Sequence, residues 1–363
     1  MSSTYEIMGT DYIQLIVGNA KQAKHFYQTQ FGFEPIAYKG LETGDREKTE
    51  YVLRQNKITL LLTTPLINDS PLNEHLRVHG DGVKDVAFWV TDAKAAWEIT
   101  TSRGALSEKE PQTIRDDKGS VTLAAIKTYG DTIHTFVERN NYTGIFMPGY
   151  EPYKSNLQTK PIGLNFIDHF VGNQPENKMQ ETAEWYEKVF KFHRFWSVDD
   201  KDVATEYTSL RSIVVANDNE RIKMPINRPA AGLKKSQIQE FVEYYSGPGV
   251  QHVAMETKDI IKTVGILNDN GVEFLETPQS YYDTLTDRVG EIDENIPDLA
   301  KYGILVDRDE FGYLLQIFTK PVQDRPTLFY EIIQRKGSQG FGKGNFRALF
   351  ESIEREQQRR GNL

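Results

Sequence analysis

The stretch GVKDVAFWVTDAKAAWEITTSRGA, residues 82–105, aligns without a gap with GVQHVAMETKDIIKTVGILNDNGV, residues 249–272. Each reads as a strand, then an aspartate suited to cap a helix (Asp92, Asp259), then an amphipathic helix. A glycine follows each aspartate by twelve residues (Gly104, Gly271), where a helix end commonly turns left-handed. A chain that repeats a strand-helix unit at such a distance is built from copies, and the copies decide the fold.

A second pair supports this. DYIQLIVGN (11–19) resembles NFIDHFVGN (165–173), and helix-like segments follow both, AKQAKHFYQTQFGF and ETAEWYEKVFKF. Phe26 and Tyr27 fall opposite Trp185 and Tyr186, and Phe31 opposite Phe190. The chain therefore holds four copies of a strand-helix-strands unit, two in each half. TGIFMPGYEPYKSNLQTKPIG (143–163), rich in Pro and Gly, reads as the linker. The expected architecture is α+β, with residues 1–155 and 156–363 as two similar domains, each curling paired βαβββ modules into an open barrel.

With 363 residues the chain is long enough for two cores. A net charge of −9 and the lack of a basic stripe argue against a nucleic-acid surface. The absence of cysteine excludes disulfides, thiolate metal sites and a Cys nucleophile. No apolar run has the length of a membrane span and the first residues do not read as a signal peptide. The expectation is a cytoplasmic protein without nucleic-acid or membrane partners.

The repeat also exposes differences between its copies. Anchored on the shared Gly-Asn, His169 of FIDHFVGN (166–173) falls opposite Leu15, and His252 falls opposite Asp85. The last strands, DTIHTFVER and RPTLFYEIIQR, set Glu331 opposite Thr135 or Phe136. One half thus carries His, His and Glu at inward positions where the other carries Leu, Asp and Thr or Phe. Two His and one carboxylate with open positions form the facial triad of non-haem Fe(II) oxygenases, in which a bidentate substrate and O2 share the metal. Zn(II) accepts similar ligands.

Other signals have plainer readings. GSQGFGKG (337–344) nearly spells a phosphate loop, but Gly344 stands where Ser or Thr would hold magnesium. It reads as a loop before a terminal helix capped by Asn345, with Phe346, Leu349, Phe350 and Ile353 at helical spacing. HLRVH (75–79) reads as a solvated loop, as does ETGDREKTE (42–50). His193 reads as packing or solvent contact.

FIDHFVGN, PINRP, KSQIQEF, GPGVQHVA, GYLLQIFTKPVQDRPTLFYEIIQR and GFGKGNFRALFESIE together resemble the 4-hydroxyphenylpyruvate dioxygenase family, over essentially the whole chain. The resemblance implies two vicinal-oxygen-chelate-type domains and a C-terminal gating helix. It also implies an Fe(2+) enzyme of tyrosine catabolism that turns 4-hydroxyphenylpyruvate and O2 into homogentisate and CO2. The iron ligands it implies are His169, His252 and Glu331. The substrate positions it implies are Ser212, Pro225, Asn227, Gln237, Gln251, Gln316, Phe318 and Phe329, with Phe341, Asn345, Phe346 and Leu349 on the gate. On strict alternation Gln251 faces away from His252, so its place in the pocket demands a local bulge. A homo-oligomer contacted through the first half is also implied. Two other readings stand beside this one: hydroxymandelate synthase on the same substrate, and a non-catalytic binding protein of the same fold, like the bleomycin-resistance proteins.

Overall fold

The computed structural model describes residues 4–198, 209–230 and 234–362. Its strands are β1 (Ile7–Ile16), β2 (Glu34–Lys39), β3 (Lys48–Gln55), β4 (Ile58–Pro65), β5 (Gly82–Val90), β6 (Ser107–Asp116), β7 (Gly119–Lys127), β8 (Ile133–Glu138) and β9 (Glu151–Pro152) in one sheet. The second sheet holds β10 (Leu164–Asn173), β11 (His193–Val198), β12 (Ser209–Ala216), β13 (Lys223–Ala230), β14 (Gly249–Thr257), β15 (Leu305–Asp309), β16 (Gly312–Phe318) and β17 (Phe329–Lys336). The strand orders β9-β2-β3-β4-β1-β5-β8-β7-β6 and β11-β12-β13-β10-β14-β17-β16-β15 correspond strand for strand, apart from the short edge strand β9 that the first sheet adds. In both, the two central modules meet through an antiparallel pair (β1 with β5, β10 with β14), and each central strand has a parallel neighbour on its other side. These are the two curled half-barrels that the repeat called for.

The helix signals act as expected. Asp92 Oδ1 accepts the amide of Ala95 at 2.8 Å, and Asp259 Oδ1 accepts that of Lys262 at 3.1 Å. Gly104 and Gly271 close these helices with φ of +106° and +89°. One large apolar core runs through both halves, including Leu15, Phe31, Phe88, Phe170, Tyr186 and Tyr330. The Tyr330 hydroxyl donates to that of Tyr27 at 2.8 Å across the seam.

Strand pairing corrects the Gly-Asn anchor. His169 pairs with Ala254 and Tyr12 with Ala87, the matching alanines of the gapless repeat. Both strands bulge at the same place, between Thr10 and Tyr12 and between Ile167 and His169. Tyr12, not Leu15, is therefore the counterpart of His169, and Leu15 lies in the helix-facing core. Strand-level similarity slid by three residues because short alternating apolar runs resemble themselves in several registers. Parallel pairing of Asp85 with Ile133 and of His252 with Phe329 makes Thr135, not Phe136, the counterpart of Glu331.

These three counterparts form a closed polar knot. Asp85 Oδ2 accepts from the Tyr12 hydroxyl at 3.1 Å and the Thr135 hydroxyl at 2.5 Å, and Asp85 Oδ1 accepts the Thr135 amide at 3.0 Å. The segment after β8 plugs this barrel instead of running free as a linker. Phe146 and Met147 are buried, and Phe146 meets Tyr12 edge-on at 5.8 Å.

Three other expectations change. HLRVH belongs to a helix, Pro71–His79, begun by Ser70 and Pro71, and its two histidines are buried at the seam. His79 there contacts the Tyr245 carbonyl and Asp131. Glu50, at the end of ETGDREKTE, lies inside β3, buried against Lys48, Thr63 and Tyr150. Asn345 does not cap the terminal helix with its side chain, because its Oδ1 accepts from the Tyr281 hydroxyl at 2.6 Å. His193 is exposed at the start of β11.

Burial pushes the Asp85 carboxyl up to about 6, against the lowering by its Thr135 and Tyr12 hydrogen bonds. Because the folded state holds this proton more tightly than the unfolded chain, Asp85 makes stability fall as pH rises from about 4 to about 6. Asp85→Asn should remove that slope: urea unfolding of variant and parent at pH 5 and pH 8 should favour the variant more at pH 8. An equal difference at both values would contradict the assignment.

Candidate metal centre

The bulges that misaligned the strands aim the side chains. A bulge leaves one residue unpaired and turns it out of strict alternation. Asp168 is left unpaired at the bulge between Ile167 and His169, and it reaches the imidazole next to it, His169 Nδ1 lying 2.8 Å from Asp168 Oδ1. Gln251 is left unpaired at the bulge of β14 where Val171 pairs with His252 and Gly172 with Val250. Its Oε1 lies 3.1 Å from His252 Nδ1. The bulge that Gln251 needed is present.

With both Nδ1 atoms engaged, both Nε2 atoms turn to one carboxylate. Glu331 Oε2 is 3.1 Å from His169 Nε2 and 3.4 Å from His252 Nε2. The three donors lie within 4.8 Å of one another and all are buried; among the described residues no other such group of His, Asp and Glu occurs. Burial pulls the His169 imidazole down, but Glu331 and Asp168 outweigh it and hold it above its ordinary value. At His252 burial prevails and the imidazole is lowered. Burial raises Glu331, yet the two imidazoles bring it below the ordinary carboxylate range. The set suits a divalent transition metal: two nitrogens and one oxygen on one side, each imidazole tautomer selected by an outer partner.

Behind His169, Arg335 grips Asp168 with a two-pronged bond, Nε to Oδ2 and Nη2 to Oδ1, both 2.7 Å. Against the cost of burial, this holds the Asp168 carboxyl well below its usual range. Asp168 and Arg335 were not among the residues singled out in the sequence. The signal for them was the Arg that ends the last strand of each half.

A cavity of about 50 Å³ opens onto the three donors. Its walls include Ser212, Pro225, Asn227, Gln237, Gln251, Phe318 and Phe329, with Phe341, Phe346 and Leu349 from the C-terminal segment. His252 stacks on Phe329 at 4.8 Å, and Phe341 stands edge-on to His169 at 5.1 Å. Gln316 and Asn345 are off this wall, fully buried near the loop that leads into the C-terminal helix. Neither amide atom of Gln316 finds a hydrogen-bond partner. A larger cleft, about 670 Å³, lies elsewhere between Phe26, Asp81, Lys320 and Arg325, away from the clustered donors.

Comparison with known proteins gives two family matches along the chain. Residues 3–150 match the family described as hydroxyphenylpyruvate dioxygenase, N-terminal, and residues 166–317 match the glyoxalase/bleomycin resistance protein/dioxygenase superfamily. A 4-hydroxyphenylpyruvate dioxygenase of Tetrahymena thermophila is 53% identical, over 99% of this chain and 92% of its own. The chain belongs to the 4-hydroxyphenylpyruvate dioxygenase family. A Dictyostelium discoideum member is 50% identical over 98% of this chain and all of its own length. A mutant 4-hydroxymandelate synthase from Streptomyces coelicolor superposes with a TM-score of 0.86 at 33% identity, covering 97% of this chain and 99% of its own. No helix among the described residues is long and apolar enough to cross a membrane.

Removing a donor should abolish metal uptake without unfolding the chain. His169→Ala, His252→Ala and Glu331→Ala are each expected to weaken Co(II) binding by more than about 100-fold, the upper range for losing an outer partner. Calorimetric titration with circular dichroism checks this, and a variant with parental affinity would not be a donor.

Proposed function

We propose that this family member is an Fe(II)-dependent dioxygenase of tyrosine catabolism that converts 4-hydroxyphenylpyruvate and O2 to homogentisate and CO2. The observation that carries the reading is the convergence of His169, His252 and Glu331 on one point at the floor of a phenylalanine-lined cavity. On this reading residues 156–363 form the catalytic domain, and residues 1–155 a domain of the same kind without metal ligands. The lack of cysteine suits a cytoplasmic protein, and a homo-oligomer is part of the proposal.

The three donors would hold the iron, which when bound supplies a chelation point for the 2-oxo acid and the means to activate O2. The protein's own part is to bind, orient and dry. Phe318, Phe329, Phe341 and Phe346, with Leu349, offer flat apolar faces to the aromatic ring and exclude water. Pro225 adds a rigid wall. Ser212, Asn227, Gln237 and Gln251 supply hydroxyl and amide groups that can hold the phenol and so select which ring carbon faces the metal. Asp168 and Gln251 keep the Nδ1 protons of the two imidazoles occupied, so that each Nε2 lone pair remains available.

The cavity in front of the donors is narrow, about 50 Å³, and Phe346, Leu349 and Phe350 of the C-terminal helix form part of its wall. On this reading the C-terminal helix, Phe346–Arg359, moves to admit substrate, and the unmatched Gln316 amide and Asn345 Nδ2 beside its hinge become available when it does. Gly342 lies in that hinge with φ of +75°, and a side chain there would run into the Gln316 amide.

Formation of 4-hydroxymandelate is the second reading, favoured by the likeness to the synthase structure. The higher identity of the relatives named dioxygenase supports ring oxidation instead. Protein supplied with Fe(II), ascorbate and 4-hydroxyphenylpyruvate should take up O2 and yield homogentisate. Mandelate would overturn the ring assignment, and no uptake by folded protein would favour a binding protein. Gly342→Ala should lower kcat by about tenfold or more through a strained, displaced hinge, with metal affinity unchanged; steady-state kinetics and Co(II) titration check both.

A further inference from the structure

The two halves share a device that survives where the metal donors do not. In the first half, Asp11 is the bulge residue before Tyr12, and Arg139 directly follows β8. Arg139 grips Asp11 with Nε to Oδ2 at 2.8 Å and Nη2 to Oδ1 at 2.6 Å, and its Nη1 donates to the Phe146 carbonyl. Its guanidinium lies 5.4 Å from the Phe146 ring centre. In the second half, Arg335 repeats each element: the fork on Asp168, donation from Nη1 to the Gly340 and Ser338 carbonyls at 2.7 and 3.2 Å, and a guanidinium 5.6 Å from the Phe341 ring. Phe146 then meets Tyr12 edge-on at 5.8 Å, as Phe341 meets His169 at 5.1 Å.

The first half lacks the metal donors, so there the fork seats the segment that closes the barrel. In the second half Asp168 has one added task, because its Oδ1 also faces His169 Nδ1. Asp309 holds the same loop from the other side, its Oδ2 accepting from the Ser338 hydroxyl at 2.7 Å and the amides of Gln339 and Gly340 at 2.8 and 2.9 Å. We propose that the Arg335–Asp168 fork is a positioning device joining the root of the C-terminal gate to the His169 ring in one rigid unit. Residues 338–341 stay in place while the chain beyond Gly342 swings, and Phe341 remains over His169 as fixed pocket wall. The seat stands on geometry alone; the orienting role rests on the functional reading above.

Asp168→Asn preserves the shape but weakens the fork. In the full-length chain it should lower Co(II) affinity by about 10- to 100-fold, change the Co(II) visible absorption, and speed amide exchange over residues 338–341 in the metal-free protein. Asp11→Asn should speed exchange over 143–147 and leave Co(II) affinity and spectrum unchanged. In the parent, 338–341 should exchange more slowly than the helix that follows. Parental exchange over 338–341 in Asp168→Asn overturns the seat, and parental Co(II) affinity and spectrum overturn the orienting role. Should Asp168→Asn not fold, Arg335→Lys retains the charge without the fork and is read in the same way. If the parent itself takes up no Co(II), the functional reading fails, while the exchange comparison still decides the seat.

Discussion

Two strand bulges, at Asp168 and Gln251, set the terms for everything at the centre of the second barrel. In a regular strand the neighbours of His169 and His252 would point away from them. The bulges bring a carboxylate and an amide round to the same side, where each meets an Nδ1. Both imidazoles then have one tautomer and one direction, and their Nε2 atoms meet at Glu331. A buried carboxylate without such company would be costly; between two imidazoles it is held as a carboxylate, ready to bind a cation.

The first barrel shows how the same frame is filled when no metal is to be held. Its bulges fall at the same places, but the inward residues are Tyr12, Asp85 and Thr135, which satisfy one another. Phe146 and Met147 occupy the interior that the second barrel keeps for a ligand. The comparison separates what the barrel needs from what the chemistry needs. The Asp–Arg fork and an aromatic closing residue occur in both halves, and the metal-binding donors in only one.

Closing the second barrel calls for more give. The terminal helix rests its apolar face on the pocket through Leu349 and Ile353, while its far end is tied by Arg360 and Asn362 to the buried Glu240. The tie at Asn345 is a single hydroxyl, that of Tyr281, which also faces the Val306 carbonyl. Further ties run from Ser352 and Arg355 to the Glu276 carbonyl and from Gln357 to that of Lys235; on the proposed reading, in which this helix is a lid, these polar ties are what opening must break.

Much of this was legible in the sequence because it rests on residue identity at fixed spacing. The aspartate-to-glycine helices, the four modules and the His-His-Glu set follow from comparing the chain with itself. What the chain could not declare depends on backbone geometry. That Tyr12 rather than Leu15 answers His169 is a matter of register, and register is fixed by pairing across the sheet. That Gln251 turns toward His252 is a matter of a bulge, which strict alternation denies. That Asp168 and Arg335, 167 positions apart, form one fork is a long-range contact with no local signature. Sequence by itself determined which atoms were available for chemistry, since side-chain identity is local. Tertiary structure alone decided which of them face one another, since a one-residue shift in a strand reverses every side chain along it.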